Sequence, residues 1–157
     1  MPRIDLNHLP DDSRIWLFGI TPALDNAKQT ALMTQVDGFL DQWASHGTPI
    51  HGAASVVDHT FLVVGIDRAA EASGCSIDRM FGLLRNLERE LGVKILDADR
   101  VFFRHGDGRI DSTSRAAFAS NADKHTIVFD TTAERLGEIR TGDWEKRAED
   151  SWHGSLL

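Results

Sequence analysis

The chain reads as an α+β protein, and three observations predict this. Short, strongly apolar runs of strand length alternate with two longer segments whose apolar residues recur every three or four positions. The runs fall in the order βαββαβ, the split pattern of ferredoxin-like folds. The first and third apolar runs are also the richest, as suits central strands flanked by more polar edges. The expected architecture is a single domain. It has an N-terminal arm (1–13), a ferredoxin-like βαββαβ core (14–110) and a C-terminal β/α extension (111–157).

Each element has a local reason. Residues 1–13 are polar and proline-bearing, so they read as an arm. Ile15 to Ile20 is a continuous apolar run, read as a buried strand that Thr21-Pro22 stops. A helix follows from about Asp25, with Leu32, Val36, Phe39, Leu40 and Trp43 on one face. Gly47 suits the position just past its end, and Pro49 forbids continuation. Ile50 to Val57 and Phe61 to Ile66 read as a hairpin turning at Asp58-His59.

The second helix is expected from near Ser76. Ile77, Met80, Phe81, Leu84, Leu87 and Leu91 form its stripe, and Gly92 ends it. Val101-Phe102-Phe103 starts the fourth strand, and Gly106-Asp107-Gly108 turns the chain into Arg109-Ile110. Residues 112–122 read as a short helix and Thr126 to Phe129 as a further strand. From Ala133 the tail is polar, with Trp144 and Trp152 spaced along it. The central strands are apolar on both faces, so the face away from the helices needs a cover. Either the C-terminal segment or a second subunit, as a homodimer through the open sheet face, can supply it.

Composition narrows the function classes. At 157 residues with 41% apolar content, the chain can bury a sizeable core. No apolar run reaches the ~18–20 residues that span a bilayer, and the N-terminus lacks a signal-peptide core. A net charge of −7, with basic residues interleaved among acids, argues against nucleic-acid and membrane-surface partners. A single cysteine excludes an internal disulfide framework. A cytoplasmic protein is expected, with an unknown small molecule or protein as partner.

The one cysteine marks the candidate site. Cys75 lies between the third strand and the second helix, where a helix N-terminus favours thiolate. In βαββαβ topology this loop shares an end of the sheet with the segment carrying His46 and His51. Counting from the Asp58-His59 turn sets His51 opposite Ile66 or Asp67. The sharp expectation is catalytic Cys75 with His51 as base and Asp67 orienting it. Binding roles fall to His46, Ser73, Gly74, Ser76 and Asp78, and to Trp152 and His153 if the tail folds back. The plain alternative makes Cys75 a small gap-filler, Ser76 a helix cap and His46 a cap on the first helix. Neither a metal nor a cofactor is expected. The histidines lack HxxxH or HxH spacing, and no Walker loop occurs.

Five segments carry a family resemblance. They are Ser13 to Trp16, Trp43 to Gly47, Ala72 to Asp78, Thr126 to Phe129 and Ser151 to His153. In these the chain resembles a family of small bacterial proteins of no assigned activity, some labelled "ABC transporter ATPase". That label implies Walker motifs, which this sequence lacks. Two function classes therefore stand side by side. One is a binding or interaction module with its site at the Cys75 loop. The other is a thiol-dependent enzyme or redox sensor using Cys75 with His51 or His46.

Overall fold

The computed structural model describes residues 5–67 and 70–157. A 3₁₀ turn at Leu6–His8 leads into β1 (Arg14–Gly19) and α1 (Asn26–Gln42). Two short strands, β2 (Ala44–Ser45) and β3 (Thr48–Pro49), precede β4 (Gly52–Val57), β5 (Phe61–Ile66) and α2 (Gly74–Leu91). Then come β6 (Arg100–Arg104), β7 (Ile110–Ser114), α3 (Arg115–Asn121), β8 (Ile127–Phe129), α4 (Leu136–Arg140) and β9 (Glu145–Arg147). The chain closes with 3₁₀ turns at Ala148–Asp150 and Trp152–Leu156. The class is α+β, with antiparallel sheets. Among the described residues no helix is long and apolar enough to cross a membrane.

The elements stack in four layers. In the inner sheet, of order β1-β5-β4, alternate residues face opposite ways. Phe18, Leu62, Val64 and Ile66 meet Leu32, Leu40, Met80 and Leu84 of α1 and α2. Ile15, Leu17, Phe61 and Val63 face the other way, onto Phe102, Phe129 and Trp144 of an outer sheet, β7-β6-β8-β9. Phe61 is central there. Its ring lies 5.2, 5.0 and 4.7 Å from those of Phe102, Phe129 and Trp144. The far face of the outer sheet packs Val101 and Val128 on Phe118 and Ala148, with Leu156 alongside. All six β5 residues are buried because both faces of their sheet are covered.

Gly19 shows how tightly the sheets close. A Cβ there would fall 2.1 Å from the Phe102 ring, so only glycine fits the seam.

The structure corrects several expectations. The fourth strand does not join the first three. After α2 the chain makes one bridge, Thr21↔Lys94, and then crosses into the outer sheet. β1 is therefore an edge strand, and β5 alone is central. The outer sheet begins at Arg100, so a division at residue 110 cuts through the β6–β7 hairpin. The face expected to be open is filled by the same chain, which leaves it no room for a second copy. Nor is the arm free: Leu9 is buried in the layer between the sheets and Leu6 packs against it.

Local signals differ too. Ser73, not Ser76, caps α2, its hydroxyl accepting from the Ser76 N–H at 3.2 Å. Gly47 is not the end of α1, which stops at Gln42 with Trp43 as its C-cap. His46 and Gly47, at φ of 51° and 80°, instead form the turn between β2 and β3. His46 thus belongs to a hairpin rather than to a helix cap. The Asp58-His59 turn forms as expected, with both residues at positive φ.

Candidate functional site

The α2 end of the inner sheet gathers part of the expected site. The Trp43 indole donates to the Ser76 carbonyl at 3.0 Å, and Arg79 donates to the Ala44 carbonyl at 2.6 Å. These bonds tie the start of α2 to β2. Across the β4–β5 ladder the Asp67 N–H donates to the His51 carbonyl at 3.0 Å. A recess of about 520 Å³ there is lined by His46, His51, Asp67 and Glu71, with Ser45 and Thr48.

Cys75 is not among the residues lining this recess. It is the second residue of α2, with its side chain exposed. Gly74 and Asp78 are exposed as well. Ser76 is fully buried, and its hydroxyl donates to the Ser73 carbonyl at 2.8 Å. That hydroxyl is a local turn group, closed off from any ligand. Among the described residues, no group of three or more His, Cys, Asp or Glu is placed to hold a metal.

The tail goes elsewhere. Trp152 and His153 dock on α3, in the layer furthest from α2. The His153 ring stacks on Trp152 at 3.9 Å and lies edge-on to Phe118 at 6.0 Å. The Arg115 guanidinium covers Trp152 at 5.1 Å. His153 shares a 2.7 Å hydrogen bond with Ser151 Oγ. Burial, chiefly, lowers its pKa to about 4, so the ring is neutral near pH 7.

A further cavity is walled by Phe118, the residue on which this tail docks. About 680 Å³ opens between the β6–β7 hairpin, α3 and the loop into β8. Phe103, Phe118, Ala122 and Ile127 contribute apolar walls, and His105, His125 and Thr113 contribute polar groups. Hairpin geometry explains His105. Phe103 pairs with Asp111 across the ladder, so His105, two residues on, shares its face and lies diagonal to Asp111. Its Nε2 is 2.9 Å from Asp111 Oδ2. That hydrogen bond holds the Asp111 carboxyl below its usual range. The bond orients the imidazole, with Nε2 on the carboxylate and Nδ1 on the other side of the ring. His125 is set by a turn in which its N–H donates to Asp123 Oδ1 at 2.8 Å.

Sequence reading passed over His105, Asp111, His125 and Phe118. The usable signal was the Gly106-Asp107-Gly108 turn. Folding the chain back on it brings His105 and Asp111 to one face.

Comparison with protein-family models, curated proteins and solved structures returns no match for this chain. The site therefore stands on its geometry.

Proposed function

We propose that this protein binds a small, mainly apolar molecule in the cleft between the β6–β7 hairpin and α3. The observation that carries the reading is the cleft itself. About 680 Å³ with aromatic walls and two imidazoles at its polar groups has the size and lining of a small-molecule site. The Asp111-oriented His105 supplies one directional hydrogen bond, which selects a ligand with a polar edge.

The test uses 8-anilinonaphthalene sulfonate as probe, with Ala117→Phe to fill the cleft. The native chain is expected to bind the dye one to one, and the filled variant to lose binding at unchanged melting temperature. Equal dye binding by both would remove the reading.

One observation favours a second reading, a thiol-dependent site at the Cys75 loop. The thiol is exposed in the first turn of an eighteen-residue helix, at the sheet end that carries His46 and His51. Alkylation rate against pH tests it, with Cys75→Ser as blank. A midpoint well below about 8.5 supports an activated thiolate, and a midpoint at that value removes it. The exposed unpaired thiol also supports a reducing, cytoplasmic setting for the protein. We read the inner sheet with α1 and α2 as a ferredoxin-like arrangement whose fourth-strand position is left unfilled.

A further inference from the structure

The cleft opens where two paired strands part. β6 and β8 are joined at Phe103↔Val128 and Arg104↔Ile127, and the ladder ends there. Continued in the same register, it would set Gly106 opposite His125. Both residues line the cleft, and no main-chain bond joins them.

The main chain aims one polar group into this gap from each side. The His105 N–H donates to the Arg109 carbonyl at 2.8 Å, and the His105 carbonyl accepts from Gly108 at 2.9 Å, both on the β7 side. Across a planar trans peptide the N–H points opposite to the carbonyl. The Gly106 N–H therefore points away from β7 and toward β8. On the other strand the Lys124 and Thr126 carbonyls accept from Glu149 and Ala148 at 3.0 and 2.8 Å, on the β9 side. The His125 carbonyl lies between them and is turned the other way, toward β6. Among the described residues neither the Gly106 N–H nor the His125 carbonyl has a hydrogen-bond partner. The His125 N–H is already held by Asp123. One donor and one acceptor thus face each other across the gap, beside the apolar walls Phe103 and Phe118.

We infer that the cleft takes a small secondary amide in its trans form, an acylated aromatic amine. The inference rests on the reading of the cleft as a small-molecule site. A trans amide carries its acceptor and its donor on opposite edges. Its carbonyl accepts from the Gly106 N–H, and its N–H donates to the His125 carbonyl. It so takes the place that a peptide group holds between two paired strands. A ketone, an ester or a carboxylate has no N–H to offer His125, and an ammonium group has no acceptor for Gly106. Each would leave one main-chain group without a partner, which costs affinity. The aromatic part of the ligand lies against Phe103 and Phe118.

The experiment titrates the full chain with two compounds of one shape. N-naphthylacetamide carries the amide, and naphthylacetone has a CH2 where the amide has its N–H. Displacement of bound anilinonaphthalene sulfonate is followed together with the amide resonances of Gly106 and Thr126, the latter sharing a peptide unit with the His125 carbonyl. The amide is expected to displace the dye at a concentration at least about fivefold lower than the ketone. It should shift both resonances, and the ketone should shift Gly106 alone. Gly106→Pro removes the N–H at the second position of a turn, which suits proline, and a Cβ there meets nothing within 4 Å. This variant should bind both compounds more weakly, since both accept from that N–H. The comparison of the two compounds needs no altered protein, so the test survives a variant that fails to fold. Equal displacement by amide and ketone, bound dye that the amide leaves in place, or binding that leaves Gly106 unshifted would each overturn the inference while the cleft reading stands. A native chain that binds no dye and shows no shift with either compound would remove both.

Discussion

The two sheets of this protein are built alike and covered differently. The inner sheet is packed on both faces along its length, by α1 and α2 on one side and the outer sheet on the other. The outer sheet has a full cover on its inner face only. Its far face meets the seven-residue α3 and a 3₁₀ tail, which fill a smaller core and leave a cleft beside it. The lesson is that a cavity of useful size arises here from incomplete coverage rather than from a hole in a core. Residues of the inner region should govern stability, and residues of the outer region should govern binding.

That division can be broken by experiment. The largest effect is expected from Phe61→Ala, which empties the centre of an aromatic cluster between the sheets. Urea unfolding should show a loss of about 4 kcal/mol. Gly19→Ala comes next, since its methyl group would collide with the buried Phe102 ring. A loss of about 3 kcal/mol is expected, and replacing Phe102 with leucine in the same chain should recover part of it.

Acid should loosen the outer region. His153 is held neutral, with its folded pKa lowered from 6.5 to about 4. The unfolded chain takes up this proton first, so stability falls as pH drops from about 6.5 to 4 and then levels off. About 3 kcal/mol is at stake, and His153→Gln should flatten that part of the stability–pH curve. The smallest change sharpens the comparison from the inner side. Ser73→Ala removes the α2 cap and should cost about 1 kcal/mol without altering dye binding in the cleft.

Legibility in the sequence followed the same division. β1, α1, β5 and α2 were readable because each buries a long face, and burial imposes periodicity over many residues. The β4–β5 register was also readable, since Asp58 and His59 form the turn that sets it. The destination of Val101 to Phe103 was not. An apolar strand signals that it is buried but not which sheet it joins, and Phe102 found Phe61 rather than a place beside β1. Ser73 and Ser76 both have capping chemistry. Which one caps depends on where the helix starts, and burial of Ser76 decided it. The cleft was illegible for a different reason. His105, His125 and Phe118 come from separate elements, and only the packing of α3 on the outer sheet brings them together.

The layer between the sheets has a consequence during synthesis. Its inner half is made early, from Ile15, Leu17, Phe61 and Val63, while Trp144 follows Phe61 by about eighty residues. At about 5–20 residues per second a ribosome needs roughly 4–16 s to cover that interval. For that time the nascent chain shows a greasy sheet to the cell, and a holding chaperone has a surface to grip. Ribosome pausing downstream of β5 lengthens the exposure, so codon choice between Ile66 and Trp144 bears on the yield of folded protein.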